Sequence, residues 1–210
     1  LKELQFVKET LPFQIIFSEK YTKLVLYLEK KKASQFDGII GILPDNKTGK
    51  VLFTGDVHLK LHNSANKGEM IDINWRRLQT QTQDLKTRFI YPFLFRTPFG
   101  IDFNFKLYKK DTTYLDVNPN FGIQYLLSGG NYFKVFVNRK QSTLLSTKGI
   151  EFQTTLPPYA DVTSTLYGVG YKSEKLDYRF NPRKGYILYF TAGAGNKIIR
   201  KNPKLNPVVY

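Results

Sequence analysis

The sequence contains no cysteine, one tryptophan, one methionine and two histidines among its 210 residues. Without cysteine, the chain has neither a disulfide framework nor a thiolate metal site. It also lacks an uninterrupted apolar run of about 18 residues or more, which excludes a membrane-spanning helix. A transmembrane β-strand is not excluded, because such strands are short and apolar on one side only.

Acidic residues are scarce relative to basic ones. The 17 Asp and Glu stand against 32 Lys and Arg, which gives a formal net charge of +15. This imbalance is expected of a protein that binds a nucleic acid or lies against anionic lipid headgroups. It is also expected of a soluble protein whose molecules repel one another through a basic surface. A nucleic-acid-binding module would interleave aromatic and basic residues on one face. Here the aromatic and charged residues mostly segregate to opposite faces, so we expect no nucleic-acid partner.

The sequence has none of the motifs that carry catalysis or phosphate binding. GYKS at 170–173 and GAGNK at 193–197 lack the Gly-Lys-Ser/Thr ending of a phosphate loop. There is no Gly-x-Ser-x-Gly elbow and no recognisable acid–base pair. His58 and His62 are four residues apart on a predicted strand, about 13 Å, which is too far for one zinc ion. We expect no enzyme, no cofactor and no metal.

What the sequence does have is aromatic residues, 17 Phe and 14 Tyr, within strict period-2 alternation. In FTGDVHLKLHN, residues 53–63, apolar residues or glycine alternate with polar residues. This alternation recurs after residue 35 in about nine segments of roughly ten residues, separated by turns rich in Gly, Pro, Asn and Asp. Successive side chains of a strand point to opposite faces. One face of the predicted sheet is therefore apolar and the other charged.

Strands of about 9–11 residues with aromatic residues near their ends are typical of a bilayer-spanning barrel. The aromatic residues near predicted strand ends are Phe36, Phe89, Tyr91, Tyr132, Phe133, Tyr178, Phe180 and Tyr186. Burying the charged face in a dry core would be prohibitive without pairing, whereas a hydrated lumen would accept it. We predict lumen-facing polar side chains at Asp56, His58, Lys60, His62, Asp72, Asn74, Arg76, Asp102, Asn104 and Lys106. A soluble β-sandwich or barrel is the alternative.

Closure of such a barrel requires more strands than this sequence predicts. Bacterial single-chain barrels have even numbers of strands, and an open sheet edge cannot stay unpaired in lipid. We expect the remaining strands to lie outside this chain.

Residues 1–34 follow a different pattern from residues 35–210. LKELQFVKETLP predicts a short helix that ends before Pro12, and FQIIFSEK and YTKLVLYLEK predict two strands around a polar turn. This combination is typical of the end of a small α/β module. We therefore predict two domains, with a boundary after residue 34.

Three stretches resemble, in order and spacing, the barrel of BamA-type outer-membrane assembly factors, the surface-antigen barrel family. FDGIIGILPDNKTGKVLFTGDVHLKLHNSANKGEMIDINW resembles the first three strands of that barrel. RFIYPFLFRTPFGIDFNF resembles the fourth strand, its short turn and the fifth strand, and LDYRFNPRKGYILYFTAGAG resembles the entry into a later strand. The resemblance covers residues 36–200. The family's Arg-Gly-Phe triplet is absent, and we expect it beyond this chain.

The resemblance implies an antiparallel transmembrane β-barrel in the bacterial outer membrane, preceded by a periplasmic POTRA module that ends within residues 1–34. It implies a function in folding and inserting client barrel proteins through a lateral gate at the first strand. The residues of that strand would be Phe36, Asp37, Gly38, Ile39, Ile40, Gly41, Ile42 and Leu43. The basic run of Lys30, Lys31 and Lys32 would lie beside anionic headgroups.

The partners that the resemblance implies are outer-membrane lipid and lipopolysaccharide, unfolded outer-membrane barrel proteins and accessory lipoproteins. Within the family, a translocation barrel of the TamA type or a two-partner secretion pore stays open as an alternative. Outside it, the alternative is a soluble, basic, β-rich module that binds a polyanion.

Overall fold

The computed structural model describes residues 6–44, 49, 51–79, 81–150, 155–177 and 182–207. Within them the chain forms a two-stranded hairpin and a separate nine-stranded antiparallel sheet, the main sheet. The hairpin pairs β1 (Val7–Phe17) with β2 (Thr22–Lys30). The strands of the main sheet are β3 (Gln35–Pro44), β4 (Val51–His62), β5 (Met70–Gln79), β6 (Thr82–Tyr91), β7 (Phe99–Lys110), β8 (Tyr114–Leu126), β9 (Tyr132–Leu144), β10 (Val162–Leu176) and β11 (Gly185–Ile199).

The strands of the main sheet lie side by side in chain order, from β3 at one edge to β11 at the other. The prediction of an all-β chain with about nine antiparallel strands is confirmed. The sheet is not closed, since in the described residues no further strand pairs with the outer side of β3 or β11.

The predicted helix before Pro12 is wrong for the described residues, because Val7–Phe17 is a strand. Pairing with β2 outweighs the weak helical preference of the segment, as tertiary context often does. Pro12 is accommodated because it lies between Leu11 and Gln14, where the register of the pairing shifts. A proline at such an irregularity removes no ladder hydrogen bond. Residues 1–5 of the predicted helix lie outside the described residues.

Antiparallel connectivity gives the main sheet two distinct ends. The turns that follow β4, β6, β8 and β10 lie at the end next to the β1–β2 hairpin, which we call the proximal end. Ser34, between the hairpin and β3, accepts a hydrogen bond at this end from the backbone N–H of His62 at 3.2 Å. The turns that follow β3, β5, β7 and β9 lie at the distal end.

The β4–β5 turn is fixed by side chains that cap backbone groups. The Asn63 Oδ1 atom accepts from the N–H of Gly68 at 2.8 Å. Glu69, only 5% exposed, accepts from the N–H groups of Ala65 and Lys67 at 2.5 and 3.0 Å. Burial opposes ionisation of Glu69, but these N–H donors outweigh it and hold the pKa of the carboxyl below its ordinary value. The Asn…Gly-Glu spacing of the sequence is thus a turn motif.

No helix within the described ranges is long and apolar enough to cross a membrane.

Candidate functional site

All ten residues predicted to face a lumen lie on one face of the main sheet, which we call the polar face. Residues directly opposite one another in neighbouring antiparallel strands point to the same side. Asp56 is opposite Arg76, and Lys60 is opposite Asp72. The row that starts at His62 continues through β5 and β6 to Asp102. The other members of the predicted set are His58, Asn74, Asn104 and Lys106.

The exposure of the two faces is the reverse of that in a water-soluble sheet. In β8, Gln124 on the polar face is 3% exposed, whereas Phe121 and Ile123 on the opposite, apolar face are 47% and 49% exposed. In β9, Ser142 on the polar face is 4% exposed and Val135 on the apolar face is 63% exposed. The polar side chains of this sheet pack against one another, and the apolar side chains project from it.

Asp102 is the centre of the polar face, with an exposure of 2%. It accepts hydrogen bonds from Arg88 Nε and Nη2 at 3.3 and 3.2 Å, and from Asn104 Nδ2 at 2.9 Å. Gln124 Nε2 and Lys134 Nζ donate to it at 3.1 and 2.8 Å. The donors come from β6, β7, β8 and β9, so one carboxylate joins four neighbouring strands. Charge-assisted bonds of this kind offset the cost of burying the carboxylate.

Gly122 makes this cluster possible. It is opposite Asp102 in the register, and the side chain of Lys134 crosses over it. A Cβ atom at residue 122 would overlap Lys134 Cε. A similar arrangement occurs between β9 and β10, where a Cβ at Gly168 would overlap the ring of Phe136. Glycine is therefore needed where a long side chain lies flat on the sheet.

His58 connects the edge of the sheet with its interior. Its Nε2 atom lies 2.9 Å from Asp72 Oδ1, and its Nδ1 atom lies 3.8 Å from Asp37 Oδ2. The two carboxylates belong to β5 and to the edge strand β3. The described residues contain no group of three side chains that could hold a metal ion.

The remaining carboxylates of the polar face are also paired. Asp56 accepts from Arg76 Nε at 2.7 Å, and Asp84 lies 2.9 Å from Lys86 Nζ. The other pairs are Asp116 with Lys140 and Glu174 with Lys172. Of these, only Asp56 and Arg76 belong to the set predicted from sequence. A polar face whose negative charges are matched in this way can lie beside water without a covering core, although each half-exposed pair contributes little to stability.

The predicted gate strand, Phe36–Leu43, falls within β3, one of the two edge strands of the main sheet in the described residues. It is apolar on both faces at its centre, because Ile39 points to the polar face, opposite Asp56, while Ile40 points to the apolar face. Both side chains are strongly exposed, at 77% and 73%. Gly41 faces Thr54, whose Oγ1 atom would be 2.9 Å from an added Cβ. The edge offers unpaired backbone groups flanked by side chains that suit lipid or another strand.

The apolar face carries a continuous apolar belt that crosses the strands at an angle. One register row is apolar from end to end, and it comprises Leu61, Ile71, Phe89, Phe103, Phe121, Val137, Tyr167 and Ala194. Towards the distal end, the row that starts at Val57 becomes polar at Gln141 and Thr163. Towards the proximal end, the apolar segment of β11 continues as far as Tyr186.

The slope of this belt follows from strand geometry. The middle of the belt is at Val57 in β4 and at Phe190 in β11, whereas the register row through Val57 ends at Ile198. The middle therefore moves by about eight residues towards the proximal end, roughly 27 Å along the strands against roughly 34 Å across them. The belt is therefore inclined to the register rows by roughly 40°. For the belt to lie level in one plane, the strands must be tilted by that angle from the normal to the plane.

Aromatic side chains border the belt at the proximal end. The rings of Phe99 and Tyr125 are 5.3 Å apart, and those of Phe133 and Tyr171 are 4.7 Å apart. Of the aromatic residues predicted at strand ends, Phe36, Phe89, Tyr91, Phe133 and Tyr186 lie on the apolar face.

One of the aromatic residues predicted near strand ends does not lie on the apolar face. Tyr132 lies on the polar face, opposite Lys172, because it neighbours Phe133 in the same strand and the two must point in opposite directions. Tyr178 and Phe180 lie outside the described residues. The set of strand-end aromatic residues predicted from the sequence did not include Phe99, Tyr125 and Tyr171, although each continues the alternation of its strand.

No protein-family model matches the chain, and no match is found among curated proteins or among solved structures.

Proposed function

We propose that this chain is part of a transmembrane β-barrel of an outer-membrane assembly factor, a protein that inserts other barrel proteins into the bacterial outer membrane. The observation that carries the proposal is the reversed exposure of the two sheet faces. A paired, partly buried polar face suits a hydrated lumen, and a bare apolar face suits lipid.

The size of the exposed apolar surface supports a lipid environment. Soluble monomers rarely expose an apolar patch larger than a few hundred Å². The apolar belt here spans the strands from β4 to β11, and side chains such as Val135 and Phe190 are more than half exposed, at 63% and 58%. In water this face would drive aggregation, whereas acyl chains would cover it without cost.

The inclination of the belt supports the same environment. Strands of outer-membrane barrels are tilted by roughly 35–45° from the membrane normal. The belt of this sheet becomes level with a membrane plane at about that tilt, roughly 40°. The aromatic pairs at the proximal end would then lie at the interface, where the ring meets both headgroup and acyl chain. This orientation puts Lys30–Lys32 on the same side, beside anionic headgroups.

Insertion of a client protein needs no covalent step, no cofactor and no metal in this proposal. The edge strand β3 would pair weakly with the closing strand of the full barrel and open sideways. Its free backbone groups would then template an incoming strand by β-augmentation. The glycines at 38 and 41 reduce side-chain packing within this strand and keep the pairing weak. Residues 1–34 would be the end of a POTRA module.

Photocrosslinking to a client tests the gate. A benzoyl-phenylalanine placed at Ile40 on the edge strand is expected to capture an unfolded client barrel during insertion into liposomes. The matched control is the same probe at Ile73, which lies on the same apolar face but inside the sheet. Capture that is equal at both positions, or client insertion without any capture at Ile40, would contradict the gate.

A further inference from the structure

A basic cleft lies at the distal end, between the β9–β10 loop and the segment that follows β11. Its volume is about 650 Å³. Four cationic side chains line it, those of Lys148, Arg200, Lys201 and Lys204. Asp161 is the one carboxylate among the described lining residues. The cleft is separate from the polar face and from the edge strand, and neither the gate nor the lumen uses it.

The cleft is held in shape by contacts within its walls. Asn202 Nδ2 donates to Asp161 Oδ2 at 2.7 Å, and the N–H of Arg200 donates to the Asp161 carbonyl at 2.9 Å. Leu205, just beyond the cationic residues, is 7% exposed, and Ala160 is fully buried. In the described chain these are two of the three buried apolar side chains, so the segment after β11 is anchored.

The charge of the cleft is unbalanced. Both oxygens of Asp161 are occupied, Oδ2 by Asn202 and Oδ1 by the N–H of Leu144 at 3.3 Å. Among the described residues, no carboxylate lies within ion-pair distance of Lys148, Arg200, Lys201 or Lys204. This differs from the polar face, where the negative charges have partners. Four cations against one carboxylate give the cleft a positive potential that attracts anions.

We propose that this cleft binds a phosphate monoester or diphosphate group. A guanidinium group recognises phosphate oxygens in a bidentate manner, and ammonium groups add charge from several directions. A phosphate monoester carries a charge of about −1.5 to −2 at neutral pH, which matches the excess of cations over Asp161 better than a carboxylate does. The anchored wall fixes the backbone that carries Arg200, Lys201 and Lys204, which lowers the entropic cost of binding.

Two sources could supply such a group: the phosphorylated headgroup of a lipid, or a soluble phosphate compound. If the chain spans the outer membrane as proposed above, the distal end lies away from the periplasmic hairpin and meets the headgroups of the outer leaflet. The cleft itself does not depend on that orientation. The binding test can therefore fail or succeed independently of the proposed function.

The test is a titration of the full chain in zwitterionic detergent with inorganic pyrophosphate, followed by calorimetry. In parallel, native mass spectrometry compares retention of phosphatidic acid with retention of phosphatidylcholine. The triple variant Arg200→Gln/Lys201→Gln/Lys204→Gln is expected to bind the phosphate probe at least about tenfold more weakly, because it removes charge-assisted hydrogen bonds. Pyrophosphate binding alone would identify a soluble ligand, and selective retention of phosphatidic acid would identify a headgroup.

The matched control is Lys20→Gln/Lys23→Gln/Lys67→Gln. It removes the same charge from exposed lysines that lie in the hairpin and the β4–β5 turn, at the proximal end. It is expected to leave the affinity unchanged.

Two results would overturn the proposal. One is a cleft triple variant that binds as tightly as the unmodified chain. The other is an equal loss of affinity in the control variant, which would mean that the net charge alone attracts the probe.

Discussion

Lys134 Nζ lies 2.8 Å from Asp102 Oδ2, and the lysine side chain reaches that carboxylate only by crossing Gly122. Three strands contribute to this contact, β7 through the carboxylate, β8 through the glycine and β9 through the lysine. The absence of a side chain at residue 122 is therefore as important to the polar face as the charges are.

Gly122→Ala is expected to displace Lys134 from Asp102 and to destabilise the folded chain by about 1–3 kcal/mol, the cost of a buried charged group that loses a partner. The measurement is thermal or urea unfolding in detergent micelles. Gly170→Ala is the matched control, since a Cβ there would meet its nearest neighbour at an ordinary 3.7 Å. Equal destabilisation by both substitutions would contradict the crossing of Lys134 over Gly122.

Asp102→Asn is expected to destabilise the chain more than Asp56→Asn. The first substitution leaves Arg88 and Lys134 beside a neutral, buried side chain. The second breaks a pair with the half-exposed Arg76, and pairs of that kind contribute about 0–1 kcal/mol. Unfolding in the same micelles measures both. A larger effect of the Asp56 substitution would mean that Asp102 does not organise the polar face.

Glu69 is expected to stabilise the β4–β5 turn in a pH-dependent manner. Because its pKa is lowered in the folded chain, its contribution is fully present above the ordinary carboxyl pKa of about 4.3 and is lost as the pH falls through the lowered value. Hydrogen exchange of the Ala65 and Lys67 amides measures this. The difference between the unmodified chain and Glu69→Gln should shrink as the pH falls. A difference that stays constant from pH 6 to about pH 3 would contradict it.

His58→Ala is expected to loosen the edge strand, because the imidazole lies between Asp37 on β3 and Asp72 on β5. Amide hydrogen exchange of β3 should become faster, while exchange in β8 stays unchanged. His62→Ala is the control, a histidine on the same strand and face without such a bridge. Unchanged protection of β3 in the His58 variant would show that the backbone ladder alone holds the edge.

The period-2 pattern of the sequence was sufficient to predict the strands of the main sheet and the composition of its two faces. The pattern is sufficient because the residues that share one side of a strand are determined within that strand, whatever its neighbours are. In β8 and β9 the alternation of single residues correctly separates Gln124 from Ile123 and Lys134 from Val135. The charged face and the apolar face could therefore be predicted before any register was known.

The contacts within the polar face could not be predicted, because they depend on the register between strands. Nothing in the local sequence relates Asp102 to Lys134, which is 32 residues away. The hairpin at residues 7–30 was partly mispredicted for the same reason, since pairing with β2 decides the conformation of residues 7–11. The distal cleft depends on two loops that meet only in the folded chain.

The fluorescence of Trp75 tests the central claim most directly. It is the single tryptophan of the chain, and it lies on the apolar face, opposite Val57 and Leu85. In liposomes that contain dibrominated acyl chains, its emission should be strongly quenched. Shallow bromines should quench more than deep ones, since Arg77 marks the distal border of the belt only two residues away. Aqueous iodide should have little effect.

The double variant Trp75→Phe/Tyr108→Trp moves the reporter to the polar face and should reverse this result, with strong quenching by iodide and weak quenching by bromolipid. Tyr108 lies opposite Asp84 and Asp116, so a lumen would expose it to water. The account predicts that the two reporters respond oppositely. Quenching of Trp75 by iodide but not by bromolipid would contradict a lipid-facing apolar face and, with it, the proposed barrel.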